Sequence, residues 1–273
     1  MSDKLQEPFR IIGIVLVRNE EFFIRTALEN ILPACDEVHV FDHGSKDQTF
    51  SILSEVSTRE SKVRIHAIQS PEESHQAIEK FAGTRTWIFA VDGDEIYDPE
   101  RTKAFCDRLR GGEFSEVFQL RGNVLHVDEW SGDEYAGFLA PPSRAMTKMF
   151  NFSRLSSWTG GFERLHGGEQ VFKSEVKKPR RYALSDEFDF NDSPFRCLHL
   201  VFLRRSSREK EGSGPRMNIA DRLSQNFVSR LKHRFNALLG RTAVSDAKYK
   251  NYALGGHVRI ADPSFRIRRE NIE

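Results

Sequence analysis

Residues 87–99, WIFAVDGDEIYDP, contain the pattern on which the fold depends. Their first five residues are apolar and predict a buried strand, and Pro99 should discourage regular structure after it. The strand ends in Asp92, Asp94 and Glu95, three carboxylates within four residues. Because these groups repel one another beside an apolar interior, a cation should compensate them, and carboxylate oxygens suit Mg²⁺ or Mn²⁺. The alternative is a solvated acidic turn, which is common at the ends of strands.

Length, charge and cysteine content narrow the possible classes of protein. The chain has 273 residues, enough for one large domain or for one domain with an appendage. Its 41 Lys and Arg nearly balance its 40 Asp and Glu, so the overall charge does not favour a nucleic acid partner. Cys35, Cys106 and Cys197 are too widely spaced for a disulfide framework or a zinc site, which predicts a reducing cytoplasm. The apolar run 11–17 is too short for a signal sequence or a membrane span, so a soluble protein is expected.

Strands and helices are predicted to alternate along residues 10–99. Apolar or alternating runs predict strands, and apolar residues at helical spacing predict helices between them. The predicted strands cover 10–17, 37–41, 62–68 and 87–91, and the predicted helices cover 22–31, 48–56 and 71–81. This alternation implies βαβ units and a parallel sheet, in which ligands bind beyond the carboxyl ends of the strands.

Three of these predicted strands end in polar clusters. The clusters are Arg18-Asn19-Glu20, the turn 42–47 and the acidic stretch 92–95. Since the carboxyl ends of parallel strands lie at one edge of the sheet, we expect the clusters to converge on one crevice.

The second half of the chain has a less regular pattern. It predicts a helix over 102–109, one long strand over 116–127 and a flexible excursion over 128–143. Further strands are predicted over 145–152 and 196–203, with an aromatic- and glycine-rich turn at 158–166 between them.

The stretch 204–241 is strongly basic, with ten basic residues against three acidic ones. Apolar residues recur at every fourth position from Ile219 to Leu239, which predicts an amphipathic helix with a basic polar face. Such a helix can pack on the preceding domain, or it can contact an anionic membrane surface or a lipid-linked acceptor.

The three polar clusters resemble those of family 2 glycosyltransferases of the GT-A fold. In that family the first strand ends in a Tyr-Asn-Glu-like triplet, whose place is taken here by VRNEE at 17–21. The second strand ends in Asp-Asp-Gly-Ser-x-Asp-x-Thr, matched by DHGSKDQT at 42–49 with His43 in place of the second Asp. The fourth strand ends in a metal-binding Asp-x-Asp, matched by DGD at 92–94. The resemblance covers residues 10–99, and beyond them the pattern is closest to the lipopolysaccharide-core branch.

The resemblance implies an α/β fold of GT-A (Rossmann-like) type, with a mostly parallel central sheet flanked by helices. Residues 1–203 would form the glycosyltransferase domain, with a nucleotide-sugar half at 8–110 and an acceptor half at 111–203. Residues 204–273 would form a basic helical C-terminal extension.

The resemblance also implies which residues bind the donor and a metal ion. Asp42 would contact the base, Asp92 the ribose or the metal, and Asp94 the Mn²⁺ or Mg²⁺ ion. His199 is the candidate for a third metal ligand, and its alternative role is that of a core histidine. The implied donor-binding residues are Val17, Arg18, Asn19, Glu20, Asp42, Gly44, Ser45, Asp47 and Asp92, and the implied metal ligands are Asp92, Asp94 and His199.

In the branch that this chain resembles, a Trp-x-Gly-x-(His)-Glu-like piece carries the general base. WTGGFE at 158–163 takes that place and makes Glu163 the candidate base, with Glu169 and Asp128 in reserve. The alternative is that Glu163 only fixes the loop. Trp158 would stack on the acceptor sugar or simply pack in the core.

The implied function is a metal-dependent, inverting glycosyl transfer of hexosyltransferase type. The sugar would move from a nucleoside-diphosphate sugar to a glycan or lipid-linked acceptor, in the cytoplasm or at the inner face of the membrane through 204–241. One alternative is a non-catalytic nucleotide- or sugar-binding module. Another is a nucleotidyltransferase on a similar sheet, against which stands the lack of a Gly-rich phosphate loop after the first strand.

Overall fold

The computed structural model describes residues 7–141, 147–209 and 251–268, in which strands predominate over helices. The helices are α1 Ile24–Ile31, α2 Thr49–Arg59, α3 Glu72–Glu79 and α4 Pro99–Arg110. The strands are β1 Arg10–Val17, β2 Glu37–Asp42, β3 Val63–Ala67, β4 Thr86–Asp92, β5 Glu95–Tyr97, β6 Val117–Arg121, β7 Asn123–Ser131, β8 Glu134–Ala140, β9 Thr147–Asn151, β10 Leu155–Glu163, β11 His166–Phe172, β12 Arg180–Ala183, β13 Arg196–His199 and β14 His257–Ala261.

A seven-stranded sheet in the order β12-β6-β9-β4-β1-β2-β3 lies at the centre. The strands β1 to β4 pair in parallel, as their sequence pattern predicts. Strand β9 runs antiparallel to both β4 and β6, so the whole sheet is mixed. The α/β class with a central sheet is therefore confirmed. The uninterrupted apolar run of β1 follows from burial on both faces of the sheet.

Helices cover one face of this sheet, and a helix with a hairpin covers the other. The helices α1, α2 and α4 contribute Leu28, Leu53 and Phe105 to the first apolar layer. On the second face α3 packs with the β10–β11 hairpin, and Trp158 lies inside that layer. The carboxyl ends of β1, β2 and β4 stay at the edge between the two layers.

A second sheet, in the order β14-β8-β7-β13-β5, corrects two predictions. The predicted strand 116–127 is divided at Gly122 into β6 and β7, which belong to different sheets. The predicted excursion 128–143 contains β8, which pairs with β7 around a turn at Gly132. Its glycines and acidic residues suggested a loop, but Tyr135 is completely buried, so tertiary packing overrides the local turn signal.

Helix α4 begins earlier than the sequence pattern predicts. Pro99 occupies its first turn, where the missing N–H of proline does no harm, so Pro99 starts the helix instead of ending regular structure. The Asp98 carboxylate caps the helix by accepting a hydrogen bond from the Arg101 backbone N–H at 3.1 Å. Strand β13, Arg196–His199, is shorter than the predicted strand 196–203, and the Leu200 N–H donates to the Asp94 carbonyl at 2.8 Å just beyond it.

The described parts of 204–273, residues 204–209 and 251–268, pack against residues of 1–203, and the domain boundary at 203 stays a prediction. Strand β14 pairs with β8 and completes the second sheet. The Asn30 side chain on α1 donates to the Phe265 carbonyl at 2.7 Å, and the Phe265 ring is fully buried. The predicted basic helix over 219–239 lies outside the described residues. Within the described ranges, no helix is long and apolar enough to cross a bilayer.

The contact between 251–256 and β8 can be tested with two adjacent glycines. A Cβ on Gly255 would lie 1.8 Å from the Leu139 carbonyl oxygen, whereas a Cβ on Gly256 would meet nothing within 4 Å. We expect Gly255→Ala to lower the free energy of unfolding by about 1–3 kcal/mol, because backbone has to shift. Gly256→Ala should leave it nearly unchanged. Urea denaturation of both variants measures this, and equal stabilities would contradict the packing.

Candidate active site

The three polar clusters meet at one edge of the central sheet, as predicted from the order of the strands. In the parallel register Val17 pairs with Asp42, and Leu16 pairs with Asp92. The loops after β1, β2 and β4 therefore leave the sheet side by side. Val17 is buried at the end of β1, and Arg18 is exposed just beyond it.

Hydrogen bonds join the loop after β1 to the loop after β2. The Asn19 N–H donates to Ser45 Oγ at 2.9 Å, and the Lys46 N–H donates to Asn19 Oδ1 at 2.7 Å. The Glu20 N–H donates to Thr49 Oγ1 at 2.8 Å. Asn19 has a φ of 55°, a left-handed conformation that asparagine tolerates better than most residues. The two loops consequently form one rigid wall of the site.

Asp42 is held in place at the end of β2. Its carboxylate accepts hydrogen bonds from the backbone N–H of Ser45, at 3.2 Å, and from the Ser45 hydroxyl. Gly44 makes this turn possible with a φ of 65°. Asp47 accepts from the Thr49 N–H at 3.0 Å and so supports the start of α2.

The loop after β4 packs closely against the loop after β1. A Cβ on Gly93 would lie 2.7 Å from Glu20 Cγ, so the central glycine of the Asp-Gly-Asp stretch lets the two loops touch. Glu95 turns back towards β4, where its carboxylate accepts from the Asp92 N–H at 3.1 Å. This close approach brings Asp92 and Asp94 to the wall formed by the first two loops.

Arg164 links Asp92 to the predicted base, Glu163. Its Nη2 atom lies 2.6 Å from Asp92 Oδ1 and 2.9 Å from Glu163 Oε1, and its Nη1 donates to the Val91 carbonyl at 2.9 Å. Burial opposes the charge of this guanidinium, but the carboxylates of Asp92 and Glu163 outweigh it and raise its pKa above the ordinary value. The turn of the β10–β11 hairpin, where β10 ends at Glu163, is thus fastened to the loop after β4.

The backbone at Arg164 is strained and held by α3. Its φ of 32° lies in the left-handed region, which costs on the order of 1–3 kcal/mol for a residue other than glycine. The Arg164 N–H donates to Ser74 Oγ at 3.0 Å, and its carbonyl accepts from the His75 ring. Sequence reasoning did not single out Arg164, although it directly follows the candidate base.

Asp94 and His199 lie close together, as the resemblance implies. His199 Nε2 is 3.6 Å from Asp94 Oδ2, and both side chains are buried. Strand β13 places His199 between β5 and β7, opposite Glu95 and His126. The Nδ1 atoms of His199 and His126 are 3.0 Å apart, so one donates and the other accepts.

Arg205 reaches the same carboxylate from the segment after β13. Its Nη1 atom contacts Asp94 Oδ2 and lies 3.7 Å from Glu20 Oε1, and only 6% of the residue is exposed. Burial opposes its charge, but Asp94 and Glu20 outweigh it and raise the pKa of the guanidinium. The sequence pattern counts Arg205 among the basic residues of the stretch 204–241, within the predicted C-terminal extension. The structure instead places Arg205 beside the buried Asp94 carboxylate, and pairing reduces the cost of burying either charge.

The residues expected to hold Mn²⁺ or Mg²⁺ do not form a metal site in this arrangement. Asp92 is paired with Arg164, and Asp94 is paired with Arg205. Only His199 joins Asp94 from the predicted set of ligands. Among the residues that the structure describes, no three or more His, Cys, Asp or Glu side chains are arranged to hold a metal ion. The predicted metal ligands therefore do not fit the ion.

The predicted acceptor residue and the reserve bases lie elsewhere. Trp158 is 1% exposed, and its indole N–H donates to the Gly167 carbonyl at 2.9 Å, so it has the packing role. Glu169 is exposed on β11, and Asp128 pairs with His257 at 3.1 Å.

Comparisons with known proteins find similarity only at the level of structure. No family model matches the sequence, and no curated protein matches it. The structure of S. aureus TarS 1-349 is 17% identical over 69% of this chain and 60% of that chain, with a TM-score of 0.39. The same fragment in complex with UDP is 17% identical over 64% of this chain and 60% of that one, again with a TM-score of 0.39.

A mannosyltransferase, PcManGT from Pyrobaculum calidifontis in complex with GDP-Man and Mn²⁺, is 14% identical over 74% of this chain, with a TM-score of 0.39. The chain spans about 60% of the length of the TarS fragment and 59% of the mannosyltransferase. These TM-scores are too low to establish a shared fold or function. The functional argument therefore rests on the residues of the site.

Proposed function

We propose that the chain is a glycosyltransferase that takes its sugar from a nucleoside-diphosphate sugar. The observation that carries this proposal is the convergence of Asn19–Glu21, Asp42–Asp47 and Asp92–Asp94 at the carboxyl edge of β1, β2 and β4. Ligands of open α/β sheets bind at this edge. The clusters also match, in order and residue type, those that bind the donor in the glycosyltransferase family that the sequence resembles.

In this proposal the wall formed by the first two loops binds the nucleoside. Arg18, Asn19 and Glu20 contact base and ribose, and Asp42 accepts from the edge of the base. Asp92 contacts the ribose, while Val17, Gly44, Ser45 and Asp47 shape the cleft. The fixed position of Asp42 supports its role, because a held acceptor discriminates between hydrogen-bonding edges better than a mobile one.

Glu163 is the proposed general base for a single displacement that inverts the anomeric carbon. Its carboxylate takes the proton of an acceptor hydroxyl while that oxygen bonds to the anomeric carbon and the bond to the diphosphate breaks. The shared contact with Arg164 supports this role, since it holds Glu163 next to Asp92. The proposed acceptor is a glycan or lipid-linked sugar. Membrane contact through 204–241 stays a prediction, because residues 210–250 lie outside the described part. A cytoplasmic location also stays a prediction.

Substitution of Asp42 tests the donor site. We expect Asp42→Ala to weaken binding of the preferred nucleoside diphosphate by about 10- to 100-fold, because a hydrogen bond to a charged group is lost. Asp36→Ala is the matched control. Asp36 stands just before β2, at the other end of the strand, where it accepts from the Ile11 N–H.

The measurement is a thermal-shift and titration panel of UDP, GDP, ADP and dTDP, followed by nucleotide release from the corresponding sugars. A ligand at 100 times its dissociation constant stabilises the fold by roughly 2.7 kcal/mol. If no member of the panel binds, or if the Asp42 and Asp36 variants bind alike, the proposed function is wrong.

A further inference from the structure

Arg205 occupies the position at which a divalent cation was expected. Its guanidinium contacts Asp94, lies 3.7 Å from Glu20 Oε1 and lies 3.9 Å from Glu209 Oε1. A metal ion on Asp94 would therefore stand beside a buried positive charge. In a medium of low dielectric constant this repulsion is large. The compensating cation of the acidic loop is thus supplied by the chain itself.

The segment around Arg205 is held at several points. The Phe22 N–H donates to the Arg205 carbonyl at 3.1 Å, and the Arg205 N–H donates to Glu209 at 2.8 Å. Ser206 Oγ donates to Asp47 at 2.6 Å, and the Ser207 N–H donates to Glu21 at 2.5 Å. The guanidinium is therefore fixed before any ligand arrives, and fixed donors stabilise a developing charge best.

The neighbouring carboxylates are compensated by the same segment and by α2. Glu21 accepts from Ser207 and, at 2.8 Å, from the Gln48 N–H. Asp47 accepts from Ser206 and from Thr49. Hydrogen bonds of this kind stabilise ionised carboxylates without a metal ion.

An unused donor on Arg205 favours an anionic ligand over a metal ion. The Nε atom is buried, and among the described residues it has no hydrogen-bond partner; the same holds for Nε of Arg164. A buried donor without an acceptor is unfavourable, so each guanidinium keeps a hydrogen-bonding capacity that the described residues do not use. A metal ion cannot supply an acceptor, whereas a phosphate oxygen can, and guanidinium groups match phosphate in geometry.

We propose, on the basis of the proposed function, that Arg205 binds the diphosphate of the donor and that donor binding needs no divalent metal. When the bond between the anomeric carbon and the diphosphate oxygen breaks, its electron pair stays on the oxygen. The guanidinium donates to the phosphate oxygens and keeps all its protons. The role that a metal ion has in the resembled family belongs here to a side chain.

The first test uses the unaltered full chain and a direct measurement of binding. UDP, GDP, ADP and dTDP are titrated in EDTA and in Mn²⁺ by isothermal calorimetry. We expect the nucleotide that binds to do so with the same affinity in both buffers. Binding that appears only with Mn²⁺ overturns the inference and leaves the proposed function standing. If no nucleotide binds in either buffer, the proposed function fails and the inference falls with it.

The second test replaces the guanidinium. We expect Arg205→Gln to weaken nucleotide binding in EDTA by about 10- to 100-fold, and Arg205→Lys to retain only part of the affinity, because lysine keeps the charge without the fork. Arg208→Gln is the control. Arg208 is exposed, and its substitution removes the same charge from the same segment. Tighter binding by Arg205→Gln would mean that Arg205 only blocks the cleft, and would overturn the inference.

Circular dichroism of each variant separates weak binding from loss of the fold. If Arg205→Gln does not fold, the comparison between EDTA and Mn²⁺ in the unaltered chain still decides the question.

Discussion

Glu163→Gln is expected to lower the rate of sugar transfer by about 100- to 10,000-fold and to leave nucleoside diphosphate binding within about twofold. Glutamine keeps the shape of the side chain, and its carbonyl oxygen can still accept the 2.9 Å hydrogen bond from Arg164. It cannot take a proton from an acceptor hydroxyl. The measurement is kcat/KM for transfer, beside a calorimetric dissociation constant for the nucleotide.

Glu175→Gln serves as the control for this substitution, because Glu175 is exposed beyond the β10–β11 hairpin. It should retain the full rate of transfer. A Glu163→Gln variant with the full rate of transfer would contradict the proposed role of Glu163 as the base. Glu169 and Asp128 would then be the next carboxylates to replace.

Arg196→Met is expected to lower the free energy of unfolding by about 3–5 kcal/mol, the largest stability effect that we anticipate. Arg196 is 2% exposed, and its Nη2 atom lies 2.8 Å from Asp98 Oδ2 and 2.7 Å from Asp262 Oδ2. Removing it leaves the buried Asp98 carboxylate without this partner. Asp98 also caps α4, so the loss spreads to that helix.

An exposed ion pair in the same sheet provides the comparison. Arg259 on β14 pairs with Glu129 at 2.5 Å, and both side chains are more than half exposed. We expect Arg259→Met to change the stability by less than about 1 kcal/mol, because water screens the pair. Urea denaturation of both variants gives the two values. Equal losses would show that the Arg196 network stabilises no more than a surface pair does.

The parts of the fold that depend on local periodicity could be predicted from the sequence. The strands β1 to β4 and the helices between them could be predicted from runs and spacings of apolar residues. The parallel pairing of these strands could be predicted because strands and helices alternate along the chain. The convergence of Asn19, Asp42 and Asp92 then follows from a general rule about strand ends. The β7–β8 hairpin could not be predicted, because the burial of Tyr135 depends on the distant strand β14, with which it pairs.

Arg205 is a second feature that local sequence patterns could not predict. The sequence shows that the acidic stretch 92–95 needs a cation, but not which cation supplies the charge. Arg205 lies 111 residues beyond Asp94 along the chain, and no periodicity connects the two positions. The surrounding basic residues instead suggested a solvent-facing helix. The need for a cation near 92–95 could thus be predicted from the sequence. The residue that supplies the positive charge could be identified only from the folded structure.

That separation also sets an order of events during synthesis. The ribosome releases Asp94 long before Arg205, so the Asp94 carboxylate of a nascent chain lacks the Arg205 guanidinium while the central strands emerge. Contacts across such long sequence separations form late, because the intervening loop must close first. The carboxyl edge of the central sheet should accordingly be among the last regions to mature. A chain that stops short of Arg205 should therefore keep the Asp94 carboxylate without this guanidinium.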